Sequence, residues 1–218
     1  MKPQIVVWGA SRHAHVVADI LARCGKFEIA GFLDDTDPAR QGEPFAGRSV
    51  LGGRGALPGL LERGVSHLIF GFGNSVVKLT LAPDLSRMGF VFATAIHPGA
   101  HLPANAVIGR GTVIKAGAAV DPGTAVGEHV IIGSNAVVTH GAVLEDGARL
   151  AAGAMLGADV RIGQGALVGV GAVVGGGLQI GAGALVGAGA VVTKDVPAGM
   201  VVRGVPAQVR REVRPGDF

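Results

Sequence analysis

The chain has 218 residues and a net charge of +3; 38 residues are Gly, and only 4% are aromatic. So many glycines argue against a helical bundle, because each Gly costs about 1 kcal/mol at a helical site. Basic residues are scattered and are not interleaved with aromatic ones, which argues against nucleic-acid binding. A single Cys excludes an internal disulfide and favours a reducing compartment, so we expect a cytoplasmic protein.

Residues 1–98 alternate between strand and helix patterns. Short apolar runs bounded by turns predict strands, whereas Val16, Val17, Ile20 and Leu21 recur at helical spacing. Such alternation is typical of a small, Rossmann-like parallel α/β sheet. The predicted elements are strand Ile5–Trp8, helix His15–Cys24, strand Phe27–Leu33, a polar loop Thr36–Gly55, helix Leu57–Arg63, strand His67–Phe70, helix Ser75–Met88 and strand Phe90–Ile96.

Two features of this domain suggest a nucleotide site. The turn that begins at Gly9 opens a helix, whose free N–H groups favour an anion. Asp34 and Asp35 follow the second strand about 25 residues later, near where ribose-binding carboxylates occur in dinucleotide folds. Only the first of the three glycines of the GxGxxG pattern is present, which argues against a dehydrogenase.

The second half of the chain is a repeat. From Val107 to Val196 it divides into fifteen blocks of six residues without an insertion. The second residue of every block is aliphatic and the sixth is small or aliphatic, so both are predicted to point inward. Three blocks form one triangular coil, which predicts a parallel β-helix of about five coils. We place this β-helix at residues 99–200 and a C-terminal cap or tail at residues 201–218.

The stretch from Ile162 to Thr193 carries no charge and by its length alone could be taken for a membrane span. A Gly occurs at roughly every third position, and the pattern has a period of six, unlike a lipid-facing helix. We therefore predict no membrane segment.

The motifs of both halves resemble one family. GASRHAHVVADIL, FLDD, GFGN and IHP precede the repeat in that order, and the repeat closes with VVTKDVPAGMVVRGVPA at Val191–Ala207. Together they resemble the hexapeptide-repeat, left-handed β-helix sugar O-/N-acetyltransferases. This family includes enzymes that acetylate UDP- or GDP-linked 4-amino-4,6-dideoxy sugars and enzymes that O-acetylate sialic acid.

The resemblance implies a homotrimer in which acetyl-coenzyme A, the co-substrate, lies between neighbouring prisms. It also implies that the N-terminal domain binds the nucleotide part of the sugar substrate. Asp34 and Asp35 could instead form a solvated turn, and Gly73-Asn74 could simply connect a strand to a helix. The matching substrate positions are Ser11, Arg12, His13, Asp34, Asp35, Gly73 and Asn74, and the matching coenzyme positions are Arg149, Val170 and Ala188.

The family's catalytic base matches His140, in the block VVTHGA, although a solvated turn histidine stays an alternative. A histidine suits this role because the sugar ammonium must lose a proton near neutral pH. Members of the family carry Glu or Asp next to this histidine, whereas this chain has Gly141. One coil of eighteen residues beyond Gly141 lies Asp159, which we expect to replace the missing carboxylate. The rival carboxylates, from a neighbouring subunit, are Asp121, Glu145 and Asp146.

The histidines of the repeat do not resemble a zinc site. His101, His129 and His140 lie 28 and 11 residues apart and lack the paired spacing of zinc ligands, so we expect no metal. The expected activity is transfer of an acetyl group from acetyl-coenzyme A to the amino group of a nucleotide-linked 4-amino-4,6-dideoxy sugar. The alternatives are a sialic-acid-type sugar O-acetyltransferase and a non-catalytic nucleotide-sugar-binding protein, which the departure at Gly141 favours.

Overall fold

The structure, a computed structural model, describes residues 2–217. The chain divides into two compact units, of which the first ends at Pro98 and the second begins at Gly99. Among the described residues, no helix is both long enough and apolar enough to cross a membrane.

The first unit is a small α/β domain. Its four-stranded sheet has the order β2-β1-β5-β6 with every pair parallel, which confirms the predicted fold class. The predicted strand Phe90–Ile96 consists of two short strands instead of one. The elements are β1 (Gln4–Trp8), α1 (Arg12–Cys24), β2 (Glu28–Leu33), β3 (Pro44–Phe45), β4 (Arg48–Ser49), α2 (Leu57–Glu62), β5 (His67–Phe70), α3 (Ser75–Met88), β6 (Val91–Phe92) and β7 (Ala95–Ile96), with single 3₁₀ turns at Pro38–Arg40 and Arg54–Ala56.

Strand β1 lies inside the sheet because its sequence is apolar on both faces. Ile5, Val6 and Val7 are fully buried, as a central parallel strand requires. Helix α1 begins directly after this strand, where the Ser11 hydroxyl accepts a hydrogen bond from the backbone N–H of His13 at 3.1 Å. The carboxyl end of β1 therefore meets the N-terminus of α1, which is where open α/β sheets bind ligands.

The predicted polar loop Thr36–Gly55 contains a hairpin. A two-residue turn joins β3 to β4, and both of its residues have positive φ, 44° and 78°. The ring of Phe45 contacts Phe32 and His15, with ring centroids 4.7 Å and 4.2 Å away. These partners are distant in sequence, which is why turn propensity alone predicted only a loop.

The second unit is a β-solenoid. Fifteen strands of two residues each follow at the six-residue spacing of the repeat, and two longer strands end the unit. The strands are β8 (Val107–Ile108), β9 (Val113–Ile114), β10 (Ala119–Val120), β11 (Ala125–Val126), β12 (Ile131–Ile132), β13 (Val137–Val138), β14 (Val143–Leu144), β15 (Arg149–Leu150), β16 (Met155–Leu156), β17 (Arg161–Ile162), β18 (Leu167–Val168), β19 (Val173–Val174), β20 (Gln179–Ile180), β21 (Leu185–Val186), β22 (Val191–Val192), β23 (Met200–Arg203) and β24 (Gln208–Glu212).

These strands stack in three parallel faces. The first face contains β8, β11, β14, β17 and β20, the second β9, β12, β15, β18, β21 and β23, and the third β10, β13, β16, β19 and β22. Bridges from His101 to Ala119 and from Ile180 to Val196 lengthen the third and first faces by one level each. The solenoid consequently has about 6 turns, one more than the repeat alone predicted.

Two of the three edges of the solenoid differ in side-chain chemistry. The turns from the second to the third face form the small-residue edge, at residues 115–118, 133–136, 151–154, 169–172 and 187–190. The turns from the third to the first face form the histidine edge, at residues 121–124, 139–142, 157–160, 175–178 and 193–195. The two edges border the third face on opposite sides, so within one chain this face separates them.

The interior confirms the block pattern. The second-place residues Ile114, Ile132 and Val168 are fully buried, as are the sixth-place residues Ala136 and Ala166. Each buried aliphatic side chain contributes about 1.5–3 kcal/mol. Successive turns are only about 4.8 Å apart, which limits the bulk that the sixth place accepts.

The C-terminal residues cover the end of the solenoid. Strand β23 pairs in parallel with β21, and β24 turns back to pair with β23 in antiparallel orientation. This pairing satisfies the backbone groups that the last coil would otherwise present as an open edge.

We expect Gly181→Ala to lower the free energy of unfolding by about 1–3 kcal/mol. A Cβ at Gly181 would lie 2.3 Å from the backbone nitrogen of Ala198 and 2.6 Å from its Cα, and that backbone cannot move without disturbing the turn. Urea denaturation measures the change. The control is Gly59→Ala in α2, where a Cβ meets nothing within 4 Å and the change should be neutral or stabilising. Equal stabilities of the two variants would contradict the steric argument.

Candidate functional site

A cavity of about 310 Å³ opens at the carboxyl ends of β1, β2 and β5. Its position is the switch point of the sheet, because β1 has β2 on one side and β5 on the other. Its lining combines apolar and charged side chains, a combination that suits a nucleoside. The lining residues are Trp8, Gly9, Ala10, Ser11, Asp34, Asp35, Thr36, Arg40, Phe72, Val77 and Leu81.

The Asp35 carboxylate is fixed by two hydrogen bonds. Trp8 Nε1 donates to Oδ2 at 2.9 Å, and the backbone N–H of Arg54 donates to Oδ1 at 2.5 Å. This arrangement joins the indole of Trp8 to the loop after β4. Asp35 is exposed to solvent, and these hydrogen bonds hold it against Trp8 in the lining of the cavity.

The Asp34 carboxylate is nearly buried, with 6% exposure. Its Oδ1 accepts hydrogen bonds from the backbone N–H of Thr36 at 2.9 Å and from the Thr36 hydroxyl at 2.5 Å. Its Oδ2 pairs with Arg40, which also donates to the carbonyl oxygen of Ala10 at 3.1 Å. Burial raises the pKa of Asp34, but the hydrogen bonds from Thr36 and the charge of Arg40 outweigh it, so the pKa lies below its ordinary value.

The turn after β1 is held against the turn after β5. Gly9 has a positive φ of 122°, and a Cβ there would lie 3.1 Å from the backbone of Gly71. The Ser11 hydroxyl donates to the carbonyl oxygen of Gly71 at 2.8 Å. Both Ser11 hydrogen bonds are therefore internal to the protein, so this predicted substrate residue positions the start of α1.

The remaining predicted substrate residues have different positions. Arg12 is exposed in the first turn of α1, and His13 beside it is half-buried. Asn74 caps α3, because its Oδ1 accepts a hydrogen bond from the backbone N–H of Val77 at 3.1 Å. Gly73 directly follows Phe72, which lines the cavity. The structure thus brings Ser11, Asp34 and Asp35 together, whereas Asn74 acts as a helix cap.

Sequence analysis missed Trp8, Thr36 and Arg40 as residues of this cavity. Trp8 is the single Trp of the chain and ends a buried strand, so its type and place were an available signal. Arg40 lies in a loop without a recognisable pattern. Only the folded loop brings its guanidinium to Asp34 and Ala10.

On the histidine edge, Asp159 lies directly over Gly141, as the eighteen-residue coil predicted. The backbone N–H of Asp159 donates to the carbonyl oxygen of His140 at 3.0 Å. A Cβ on Gly141 would lie only 2.0 Å from Asp159 Oδ1, so the carboxylate fills the space that a side chain at 141 would need. Both His140 and Asp159 are exposed, and no hydrogen bond joins their side chains within residues 2–217.

Two of the three rival carboxylates have partners in the same chain. Asp146 Oδ1 accepts a hydrogen bond from the backbone N–H of Glu128 at 2.7 Å. Glu145 pairs with Arg161 at 3.4 Å. Asp121 lies on the histidine edge, one coil below Thr139. Among these four residues, Asp159 is the one that hydrogen-bonds to His140 within residues 2–217, through its backbone N–H.

The predicted coenzyme residues lie on and beside the small-residue edge. Val170 is 59% exposed, and its carbonyl oxygen accepts a hydrogen bond from Gly189, next to the exposed Ala188. Gly169 keeps this edge narrow, since a Cβ there would lie 2.7 Å from the backbone nitrogen of Ala188. Arg149 belongs to β15 on the adjoining second face. Within one chain, these residues and His140 therefore occupy different edges.

No group of His, Cys, Asp and Glu side chains in the described part of the chain could hold a metal ion.

Two family models match the chain. Residues 4–85 match the PglD N-terminal domain. Residues 123–158 and 159–194 match the bacterial transferase hexapeptide (six repeats). A comparison with curated proteins gave no match.

Several solved structures match nearly the whole chain. One is a histidine mutant of the perosamine N-acetyltransferase from Caulobacter crescentus in complex with CoA and GDP-perosamine, with 34% identity, a TM-score of 0.91, and coverage of 96% of this chain and 97% of that one. Another is the acetyltransferase domain of PglB from Neisseria gonorrhoeae with acetyl coenzyme A, at 33% identity, TM-score 0.89, and 96% and 100% coverage. The chain belongs to the PglD-type hexapeptide-repeat N-acetyltransferases of nucleotide-linked amino sugars. WeeI from Acinetobacter baumannii matches at 26% identity and a TM-score of 0.80, covering 96% of this chain and all of that one.

Membership of this N-acetyltransferase family confirms the resemblance seen in the motifs. The family also accounts for two features together: a cavity at the switch point of a sheet and a solenoid with narrow edges. Neither feature would indicate a function by itself. The departure at Gly141 now has a structural counterpart, because the Asp159 carboxylate lies at the same point of the edge.

We expect Asp34→Asn to lower stability at neutral pH and to flatten its loss in acid. Because the folded-state pKa lies below the ordinary value of 3.8, the ionised carboxylate stabilises the fold above that pH, and the stabilisation disappears as pH falls. Unfolding free energies measured between about pH 3 and about pH 6 test this. The control Glu62→Gln, an exposed carboxylate at the end of α2, should keep the acid dependence of the wild type. Parallel curves for wild type and Asp34→Asn would refute the argument.

Proposed function

We propose that this chain transfers the acetyl group of acetyl-coenzyme A to the amino group of a nucleotide-linked 4-amino-4,6-dideoxy sugar, with His140 as general base. The proposal depends chiefly on the match, over 96% of the chain, to a perosamine N-acetyltransferase solved with CoA and GDP-perosamine. In that complex a histidine of the enzyme has been replaced, and this supports the choice of a histidine as the general base. A cytoplasmic location belongs to the proposal, because a reducing compartment suits the single Cys.

In the proposed reaction the neutral sugar amine attacks the thioester carbonyl carbon. His140 takes the proton that the amine loses, and the tetrahedral intermediate expels the coenzyme thiolate, which then acquires a proton. No step of this reaction requires a covalent enzyme intermediate. The exposure of His140 on a turn leaves its ring accessible to a substrate held partly by another surface.

The proposed assembly is a homotrimer with active sites between subunits. His140 and Asp159 lie on the histidine edge, whereas Val170 and Ala188 lie on the small-residue edge. One chain therefore supplies the base and the coenzyme contacts in different places. Pairing the histidine edge of one prism with the small-residue edge of the next would complete each site.

The proposed nucleotide site is the cavity of the first unit. The rings of Trp8 and Phe72 offer flat apolar surfaces for a base, and Asp34, Asp35 and Arg40 make the rest of the lining polar. The free N–H groups at the start of α1 favour the phosphate groups. Arg12 and His13 lie beside this end of the helix and are the proposed phosphate-side residues.

The proposed role of Asp159 is to replace the carboxylate that other members carry next to the histidine. Its Oδ1 occupies the position of a side chain at 141, so the negative charge has moved by one coil but stays at the same edge. A carboxylate near the imidazole stabilises the imidazolium that forms on proton transfer. This arrangement argues against the alternative of a decayed binding protein.

We expect His140→Ala and His140→Asn to lower kcat by about 10²- to 10⁴-fold, because the amine then loses its proton acceptor. The measurement is release of free thiol from acetyl-coenzyme A, with a panel of UDP- and GDP-linked 4-amino-4,6-dideoxy sugars. The coenzyme should bind with unchanged affinity.

Four outcomes are informative. Turnover with an amino sugar but not with its hydroxyl analogue supports N-acetylation. Turnover only with hydroxyl acceptors would favour the sialic-acid-type alternative, and binding without any turnover would favour a non-catalytic protein. Equal loss of coenzyme binding and activity in the His140 variants would assign that residue a positioning role.

A carboxylate exchange tests the role of Asp159. We expect Asp159→Gly to lower kcat by about 10- to 100-fold, as loss of a residue that orients a catalytic group does. Adding Gly141→Asp should restore part of the activity, because φ at 141 is 72°, close to the 57° that Asp159 itself adopts. The measurement is the pH profile of kcat/KM for the two variants and for Asp159→Asn. Full turnover and an unshifted pH profile in Asp159→Asn would contradict the proposed role of Asp159.

A further inference from the structure

Two basic side chains, Lys115 and Arg149, lie near each other on the solenoid. Strands β9, β12 and β15 stack in the register Val113, Ile131, Arg149, which puts Arg149 two levels above Val113. Lys115 follows β9 by one residue, at the start of a turn of the small-residue edge. Two strand spacings amount to about 10 Å, a gap that two long side chains can bridge.

The level between these cations contributes Ile131, which stacks between Val113 and Arg149, and Gly133. Gly133 is the residue stacked over Lys115, and it contributes no side chain. It must be Gly, because a Cβ there would lie 2.5 Å from the backbone of Ala151. Neither Ile131 nor Gly133 can offer a side-chain counter-charge to Lys115 or Arg149 from this level.

Both side chains are half-buried, and neither has a hydrogen bond or ion pair with another side chain in residues 2–217. Arg149 Nη1 is completely buried and has no hydrogen-bond partner there. Burial lowers the pKa of Arg149, and burial together with the charge of Arg149 lowers the pKa of Lys115. Two like charges withdrawn from water without a counter-charge are unfavourable, unless an anion joins them.

No side chain in the described part of the chain supplies such an anion. The carboxylates nearest in sequence to Arg149 have other partners: Glu145 pairs with Arg161, and Asp146 accepts from the backbone of Glu128. A guanidinium beside an ammonium matches the several oxygens of a phosphate group, since each cation can donate to a different oxygen.

We propose that Lys115 and Arg149 together form a phosphate-binding site on the solenoid. The identity of the phosphate rests on the proposed function, because both proposed substrates contain phosphate groups. The nucleotide-linked sugar has a diphosphate, and the coenzyme has a diphosphate and a further phosphate. The site borders the small-residue edge, where Val170 and Ala188 are the proposed coenzyme contacts. Of these two cations, Arg149 was predicted to contact the coenzyme, whereas Lys115 was not recognised in the sequence.

The test uses Lys115→Gln, Arg149→Gln and the double variant of the full chain. The matched control is Arg161→Gln, an exposed cation of the first face that pairs with Glu145. One arm measures KM for acetyl-coenzyme A at saturating sugar nucleotide, and the other measures KM for the sugar nucleotide at saturating acetyl-coenzyme A. A third arm measures the melting temperature without ligand and with inorganic pyrophosphate.

In the Lys115 and Arg149 variants we expect KM to rise about 10- to 100-fold for one of the two substrates, because a charged hydrogen bond is lost. The substrate whose KM rises identifies the source of the phosphate. Without ligand, both single variants should melt higher than the wild type, because an uncompensated cation has been removed. Their stabilisation by pyrophosphate should shrink, while Arg161→Gln behaves as the wild type in every arm.

Two results would overturn the proposal. Unchanged KM values, with lower melting temperatures than the wild type, would mean that the cations pair with a carboxylate of another subunit. A loss of kcat alone would mean that they act on the reacting group and not on a phosphate. If no amino sugar is acetylated at all, the proposed function fails, but the pyrophosphate arm still decides whether the phosphate site exists.

Discussion

The close stacking of parallel coils is the constraint on which the solenoid depends. Successive strands lie about 4.8 Å apart, so each turn rests directly on the backbone of the next. At Gly109, Gly133 and Gly181 a Cβ would approach the backbone of the following coil to within 2.5 Å or less. Part of the high glycine content follows from this stacking, because only a residue without a side chain fits where backbones meet. Other glycines, such as Gly171 and Gly183, have open space around them but a positive φ.

The same stacking lets a side chain of one coil use space left by another. His129, Asn135 and Asp159 all have φ between 55° and 57°, and each lies over a Gly one coil earlier. The chain can therefore move a functional group by eighteen residues and keep it at almost the same point of an edge. Gly141 with Asp159 is an instance of this exchange beside a histidine.

The first unit solves a different problem, which is to hold a cavity open at the end of a parallel sheet. Asp35 joins Trp8 to the loop after β4, and Asp34 joins the same region to Arg40. These carboxylates first organise the protein, and their charge then makes part of the cavity lining polar. The position at the switch point follows from the strand order, with β1 between β2 and β5.

The sequence by itself determined the two-unit architecture, the inward-facing residues of the repeat and the place of Asp159 over Gly141. Periodicity is a local property, and a strict eighteen-residue coil converts it directly into spatial neighbours. Tertiary structure alone decided the hairpin in the predicted loop, the approach of Arg40 to Asp34, and the proximity of Lys115 to Arg149. These depend on side chains that meet across irregular loops or on burial of charge, and neither leaves a repeating signal in the chain.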